Sequence, residues 1–170
     1  MTLSRSERID LLLTRPHRQE REPSPREELH SVSQIEQTVV DAAIALLGPG
    51  QKFALLWSMQ VGENTVAGVQ VKKRDGTVTN LVLPVEVLEY FTDHKRLSYD
   101  PVAGAWLSAE IFIAGPTRYK ATFSTGAVPD WMPEFSAEDL RAEFAAFPRA
   151  DGEIPDWAKA QLDWSDRKTG

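Results

Sequence analysis

The sequence predicts an α+β domain: a single antiparallel sheet of about five strands, with helices at both ends of the chain packed on it. Three observations carry the prediction. Apolar residues recur at period two over several short stretches, they recur at the helical period near both ends, and an Asp75-Gly76 pair of the kind that closes antiparallel hairpins separates two of the strand candidates. The predicted order is helix, three strands, helix, two strands and two helices.

Residues 1–32 read as an arm, charge-dense and containing Pro16, Pro23 and Pro25, after a short helical candidate that opens on the capping pattern Ser4 to Glu7. Residues 33–170 read as the single α+β domain. Its first helix, 33–47, places Ile35, Val39 and Ala43 on one face, with Ser33 as the expected N-cap and Gly48-Pro49-Gly50 as the stop.

From Phe53 the period becomes two. Phe53, Leu55, Trp57, Met59 and Val61 share one side, and Gly62, Glu63 and Asn64 turn the chain into a second strand, 65–73, with Ala67, Val69 and Val71 on one face. After Asp75 and Gly76 a third strand runs over 77–83, completing a meander. Pro84 suits the first position of a short helix carrying Val87, Leu88 and Phe91, which is expected to end in the polar run 92–96.

Residues 106–113 then alternate, with Leu107, Ala109, Ile111 and Ile113 on one side and Trp106, Ser108, Glu110 and Phe112 on the other. Gly115-Pro116 leads into a last strand, 118–125, with Tyr119, Ala121 and Phe123 facing one way. Ser136 to Asp139 reads as a capped helix start whose stripe is Leu140, Phe144 and Phe147; Pro148 stops it. Pro155 begins a final short helix with Trp157, Ala160 and Leu162 as anchors.

Composition narrows the function. The 170 residues are 42% hydrophobic, enough for one compact core. There is no cysteine, which excludes disulfides, thiolate catalysis and cysteine-based zinc sites. The chain lacks an apolar run long enough to span a membrane and its first residues are unlike a signal peptide, so a cytoplasmic location and no membrane partner are expected. The net charge is −6, and residues 127–170 hold ten acids against five bases. Such an acidic flank disfavours nucleic acid and suits either solubility or a basic protein partner.

The chain offers little chemistry. His17, His30 and His94 lie far apart without metal-ligand spacing, so no metal and no cofactor are expected. Asp93, Ser98 and Asp100 near His94 read as an exposed polar loop, not a triad, and Gly48-Pro49-Gly50-Gln51-Lys52 lacks the spacing of a phosphate loop. Glu110, between Trp106 and Phe112 on the less apolar strand face, marks either a binding surface or an ordinary wet face.

The stretch from Leu83 to Trp131, followed by "DLRAEFAAFPRADGEIPDWAKAQL", resembles the YezG-like immunity proteins encoded beside bacterial polymorphic toxins. The matching marks are Gly104-Ala105-Trp106 at the start of a strand, the two-strand unit before Pro129-Asp130-Trp131, and Phe147-Pro148-Arg149 leading to Ile154-Pro155-Asp156-Trp157. They span residues 34–162 by architecture; the arm has no counterpart.

The resemblance implies a non-enzymatic antitoxin, a monomer or a 1:1 heterodimer with its cognate toxin, whose active site it blocks. That toxin would be a secreted NAD-glycohydrolase or a nuclease. The interface candidates are the hairpin tips Gly62, Glu63, Asn64, Asp75 and Gly76, the strand residues Trp106 and Glu110, and the acids Asp151, Glu153 and Asp156. Each tip also reads as an ordinary turn. The alternatives are a small ligand-binding or enzymatic domain using the Trp106, Glu110 and Phe112 face, and an adaptor that recruits a partner through its arm.

Overall fold

The computed structural model describes residues 31–48, 51, 53–73, 75–132 and 134–169. The arm of residues 1–30, with His17, His30, its prolines and the Ser4 capping pattern, lies outside them, as do Pro49, Gly50 and Arg74. The elements are α1 (Val32–Ala45), β1 (Ala54–Val61), β2 (Asn64–Lys72), β3 (Val78–Leu81), α2 (Val85–Leu97), β4 (Ser108–Gly115), β5 (Arg118–Ser124), α3 (Ala137–Ala146), a single 3-10 turn (Asp151–Glu153) and α4 (Asp156–Thr169). The strands form one antiparallel sheet in the order β3-β2-β1-β4-β5, which is the predicted α+β class.

Strand β1 lies at the centre and is buried on both faces. On one face α1 and α2 bring Ile35, Val39, Val40, Ala43, Val87 and Phe91 onto Leu56, Val69, Val71, Ile111 and Ile113. On the other, the loop after β5, α3 and α4 cover Trp57, Met59 and Val61 with Met132, Leu140 and Ala158, and Leu107, just before β4, joins them. Each fully buried Leu, Val or Ile contributes about 1.5–3 kcal/mol, so the two clusters together hold the sheet between its helices. No helix among the described residues is long and apolar enough to cross a membrane.

Four local expectations are corrected. The N-cap of α1 is Ser31, not Ser33: its hydroxyl accepts from Gln34 N at 3.2 Å and the Gln34 side chain accepts from Ser31 N at 3.1 Å. Ser33 has Glu36 three residues on, but His94 holds that carboxylate. Helix α2 continues through the polar run to Leu97, because His94 and Lys95 turn inward and find partners there. Helix α4 is fourteen residues long, and its buried alanine is Ala158, while Ala160 is exposed.

The fourth correction decides which residues share a surface. Regular alternation in β4 begins only at Ser108. Leu107, whose N–H donates to Ser124 O and whose carbonyl accepts from Gln60 N, joins the cluster with Trp57, whereas Ala109, Ile111 and Ile113 belong to the opposite one. A one-residue irregularity reverses the side of everything before it. Trp106 therefore lies on the α1 and α2 face, away from Glu110 and Phe112.

Candidate functional site

The structure first shows which conspicuous residues are structural. Trp106 is 2% exposed; its Nε1 donates to His94 Nδ1 at 3.1 Å, and His94 Nε2 meets Glu36 Oε1 at 3.2 Å. This arrangement places the His94 proton on Nε2. His94 is buried, stacked on Phe123 at 4.0 Å between centroids, and is no exposed loop residue. Burial lowers its pKa from the ordinary value, with the Glu36 carboxylate opposing the shift.

Two of the motifs that carry the resemblance, Gly104-Ala105-Trp106 and Phe147-Pro148-Arg149, meet in space. Arg149 is buried, its guanidinium donating to Ala105 O at 2.9 Å and to Thr125 O and lying 5.1 Å over the Phe144 ring. Gly104, with φ of +92°, gives it room: a Cβ there would stand 2.3 Å from Arg149 Nε. Tyr99 donates to Pro148 O, and Ala150 N donates to Val102 O at 3.0 Å. Phe147-Pro148-Arg149 is thus a clasp on the loop that precedes β4. Desolvation lowers the Arg149 pKa from its usual high value.

The two hairpin tips have different settings. Gly62, with φ of +61°, sits under α3, where its N–H donates to Glu143 Oε2 at 2.9 Å and a Cβ would stand 2.6 Å from Asp139 O. With Gly62 held there, the Gly62, Glu63 and Asn64 turn is docked on the domain and does not project as a free loop; Glu63 alone is exposed. The turn at Asp75 and Gly76 does project: a Cβ on Gly76 would meet nothing within 4 Å. Asp75 Oδ1 accepts from Thr77 N at 2.8 Å, and hydrogen bonds from the Thr77 side chain and backbone lower the Asp75 pKa.

Between these regions runs an uncovered strip of the sheet's second face. Phe53 and Phe112 are 58% and 54% exposed and stack at 6.4 Å between ring centroids. Two residues along β4, on the same side, stands Glu110, which with Thr122 lines a cavity of about 430 Å³ reaching Val128, Pro129 and Asp130. Those three residues also line a second cavity of about 480 Å³, closed by Phe135, Trp157 and Gln161. The strip thus continues from two bare phenyl rings to a half-exposed tryptophan. The acids Asp151, Glu153 and Asp156 are exposed near that far end, where α4 begins.

Sequence reading found Glu110 and Phe112 but missed Phe53 as their partner. It also missed the corner formed by Phe135 and Trp157. The first signal was available, because Phe53 shares the side of Leu55, Trp57, Met59 and Val61 and stands just before the first sheet pairing of β1 at Ala54; the second was not, because the corner joins residues of separate segments.

Among the described residues no group of three or more His, Asp and Glu could hold a metal ion. No protein-family model matches the chain, and no curated protein matches it significantly.

Proposed function

We propose that this chain is an immunity protein that binds a cognate bacterial toxin through the uncovered strip of its sheet and blocks the toxin's active site. The observation that supports this reading most is the stacked pair Phe53 and Phe112, bare on a sheet whose other aromatic residues are mostly packed. Leaving two large rings in water forgoes burial energy that a protein partner would recover. Aromatic anchors bordered by charge are the usual make-up of an interface centre.

The Asp75 and Gly76 turn extends the same end of the sheet, because Ala54 at the start of β1 pairs with Val71 of β2 and Ile113 of β4. A toxin seated on Phe53 and Phe112 would therefore meet that turn as well. Glu110 and Asp130 give the strip a negative side that suits a toxin cleft built to hold phosphates, as in a nuclease or a secreted NAD-glycohydrolase. The ligand-binding alternative needed Trp106, Glu110 and Phe112 on one surface, and Trp106 lies on the other side of the sheet.

The test is neutralisation. The product of the adjacent gene is assayed for its own activity with and without an equimolar amount of this protein. Loss of activity with the protein present supports the proposal; full activity at micromolar concentrations of both proteins rejects it.

A further inference from the structure

We infer that the cavity between Phe135 and Trp157 receives one arginine or lysine side chain, presented on an extended segment of the protein partner. The inference rests on the partner being a protein, as proposed above, and adds the chemistry by which that partner is read.

The two rings meet at an angle. Their centroids are 5.3 Å apart and their planes tilt by 56°, so they form two walls of a corner and not a closed stack. Both are held from behind: Trp157 Nε1 donates to Gly126 O at 2.8 Å, and Gln161 Nε2 donates to Phe135 O at 2.7 Å. Trp157 remains 37% exposed, and the acidic residues Asp130 and Glu134 are part of the lining of the same cavity. A fixed indole face with carboxylates beside it attracts a cation and repels an anion.

Several of the chain's own cations near this end are engaged elsewhere. Arg149 points inward to Ala105 O and Thr125 O, Arg141 pairs with Asp166, and Lys168 Nζ lies 4.1 Å over the Trp164 ring. That last contact shows α4 already making one ammonium-on-indole pairing on its own surface. Burial of Arg149 is matched by burial of Glu143, so the acidic excess of residues 127–170 is carried by the remaining nine acids and four bases.

The cavity is open along its length. Through Val128, Pro129 and Asp130 it continues to the space lined by Glu110 and Thr122. Chain on either side of the bound cation would have a channel to follow across the sheet toward Phe112. This favours a loop or strand of a partner over an isolated small cation.

The probe is a pair of blocked tripeptides, Gly-Arg-Gly and Gly-Lys-Gly, titrated into the full-length protein while the Trp157 indole N–H resonance is followed, with Gly-Glu-Gly as control. The expected result is a saturable shift of that resonance with both cationic peptides and none with the acidic one. The shift should weaken by about threefold or more in Asp130→Asn with Glu134→Gln and at about 0.5 M salt. No shift with either cationic peptide, or an equal shift with the acidic one, overturns the inference.

A second arm measures the affinity of the same double variant for the product of the adjacent gene, after its melting temperature is matched to wild type. A loss of about tenfold is expected. If the toxin is bound and neutralised with unchanged affinity by the variant, the cation pocket is wrong and the immunity reading stands. If the wild type leaves the toxin unbound while the arginine peptide still moves Trp157, the immunity reading fails and the pocket stands.

Discussion

Lys95 and Glu143 form an ion pair of 2.5 Å with only 3% and 1% of their side chains exposed. Lys95 Nζ also donates to Gln60 O at 2.6 Å, while the second carboxylate oxygen of Glu143 accepts from Gly62 N at 2.9 Å. Lys95 lies 5.1 Å over the Phe147 ring as well. The pair links α2 on one face of the sheet to α3 on the other, past the turn between β1 and β2. Desolvation lowers the Lys95 pKa, and the Glu143 charge resists that shift and holds the ammonium form.

Removing one member leaves a buried charge without its counter-charge. Glu143→Leu or Lys95→Met is expected to cost about 3–5 kcal/mol in urea unfolding, and the two combined clearly less than the sum of the single changes. Single variants within about 1 kcal/mol of wild type contradict the burial of this pair.

Gly104→Ala is expected to be severe, at roughly 3 kcal/mol, because the backbone has a positive φ and the new methyl group displaces the Arg149 guanidinium from Ala105 O and Thr125 O. Gly76→Ala, with φ of +86° but open space around it, should cost only about 1 kcal/mol. Equal losses at the two positions contradict the role given to Arg149.

His94 makes stability depend on pH. Its folded pKa is lowered by burial, so the unfolded chain takes up the proton first, near the ordinary value of about 6.5. The neutral imidazole contributes fully above that value, and its contribution is lost as the pH falls from there toward the folded pKa. The unfolding free energy from urea titration should therefore drop between about pH 7.5 and 5.5, with a slope of at most about 1.4 kcal/mol per pH unit from this one group. His94→Gln should flatten that slope; an unchanged slope in the variant contradicts the assignment.

Phe53→Ser and Phe112→Ser should behave as surface changes, leaving unfolding free energy within about 0.5 kcal/mol of wild type, since both rings are more than half exposed. A loss of 2 kcal/mol or more, roughly the cost of emptying a core site, would place the rings inside the fold and remove them from any interface.

The sheet was legible because its strands carry period-two patterns, and the Asp75-Gly76 pair and the Ser136 capping box mark turns and ends by local chemistry alone. What was hidden depends on distant partners. Thr92 to Arg96 looks like a frayed helix end until Glu36, Trp106, Gln60 and Glu143 are brought against His94 and Lys95. Trp106 was assigned to the wrong face because alternation cannot register the irregularity at Leu107. For the candidate site, Glu110 and Phe112 followed from strand parity, whereas the Phe135 and Trp157 corner arises only when α4 folds back beside the loop after β5.

The most direct measurement of the central claim is the dissociation constant for the product of the adjacent gene, compared between wild type, the Phe53→Ser/Phe112→Ser double variant and Ser33→Ala on the exposed side of α1. A tight complex is expected for wild type and Ser33→Ala, with the double variant weaker by about a hundredfold or more and no longer neutralising the toxin. Either no complex with wild type, or a complex equally tight in the double variant, contradicts the account.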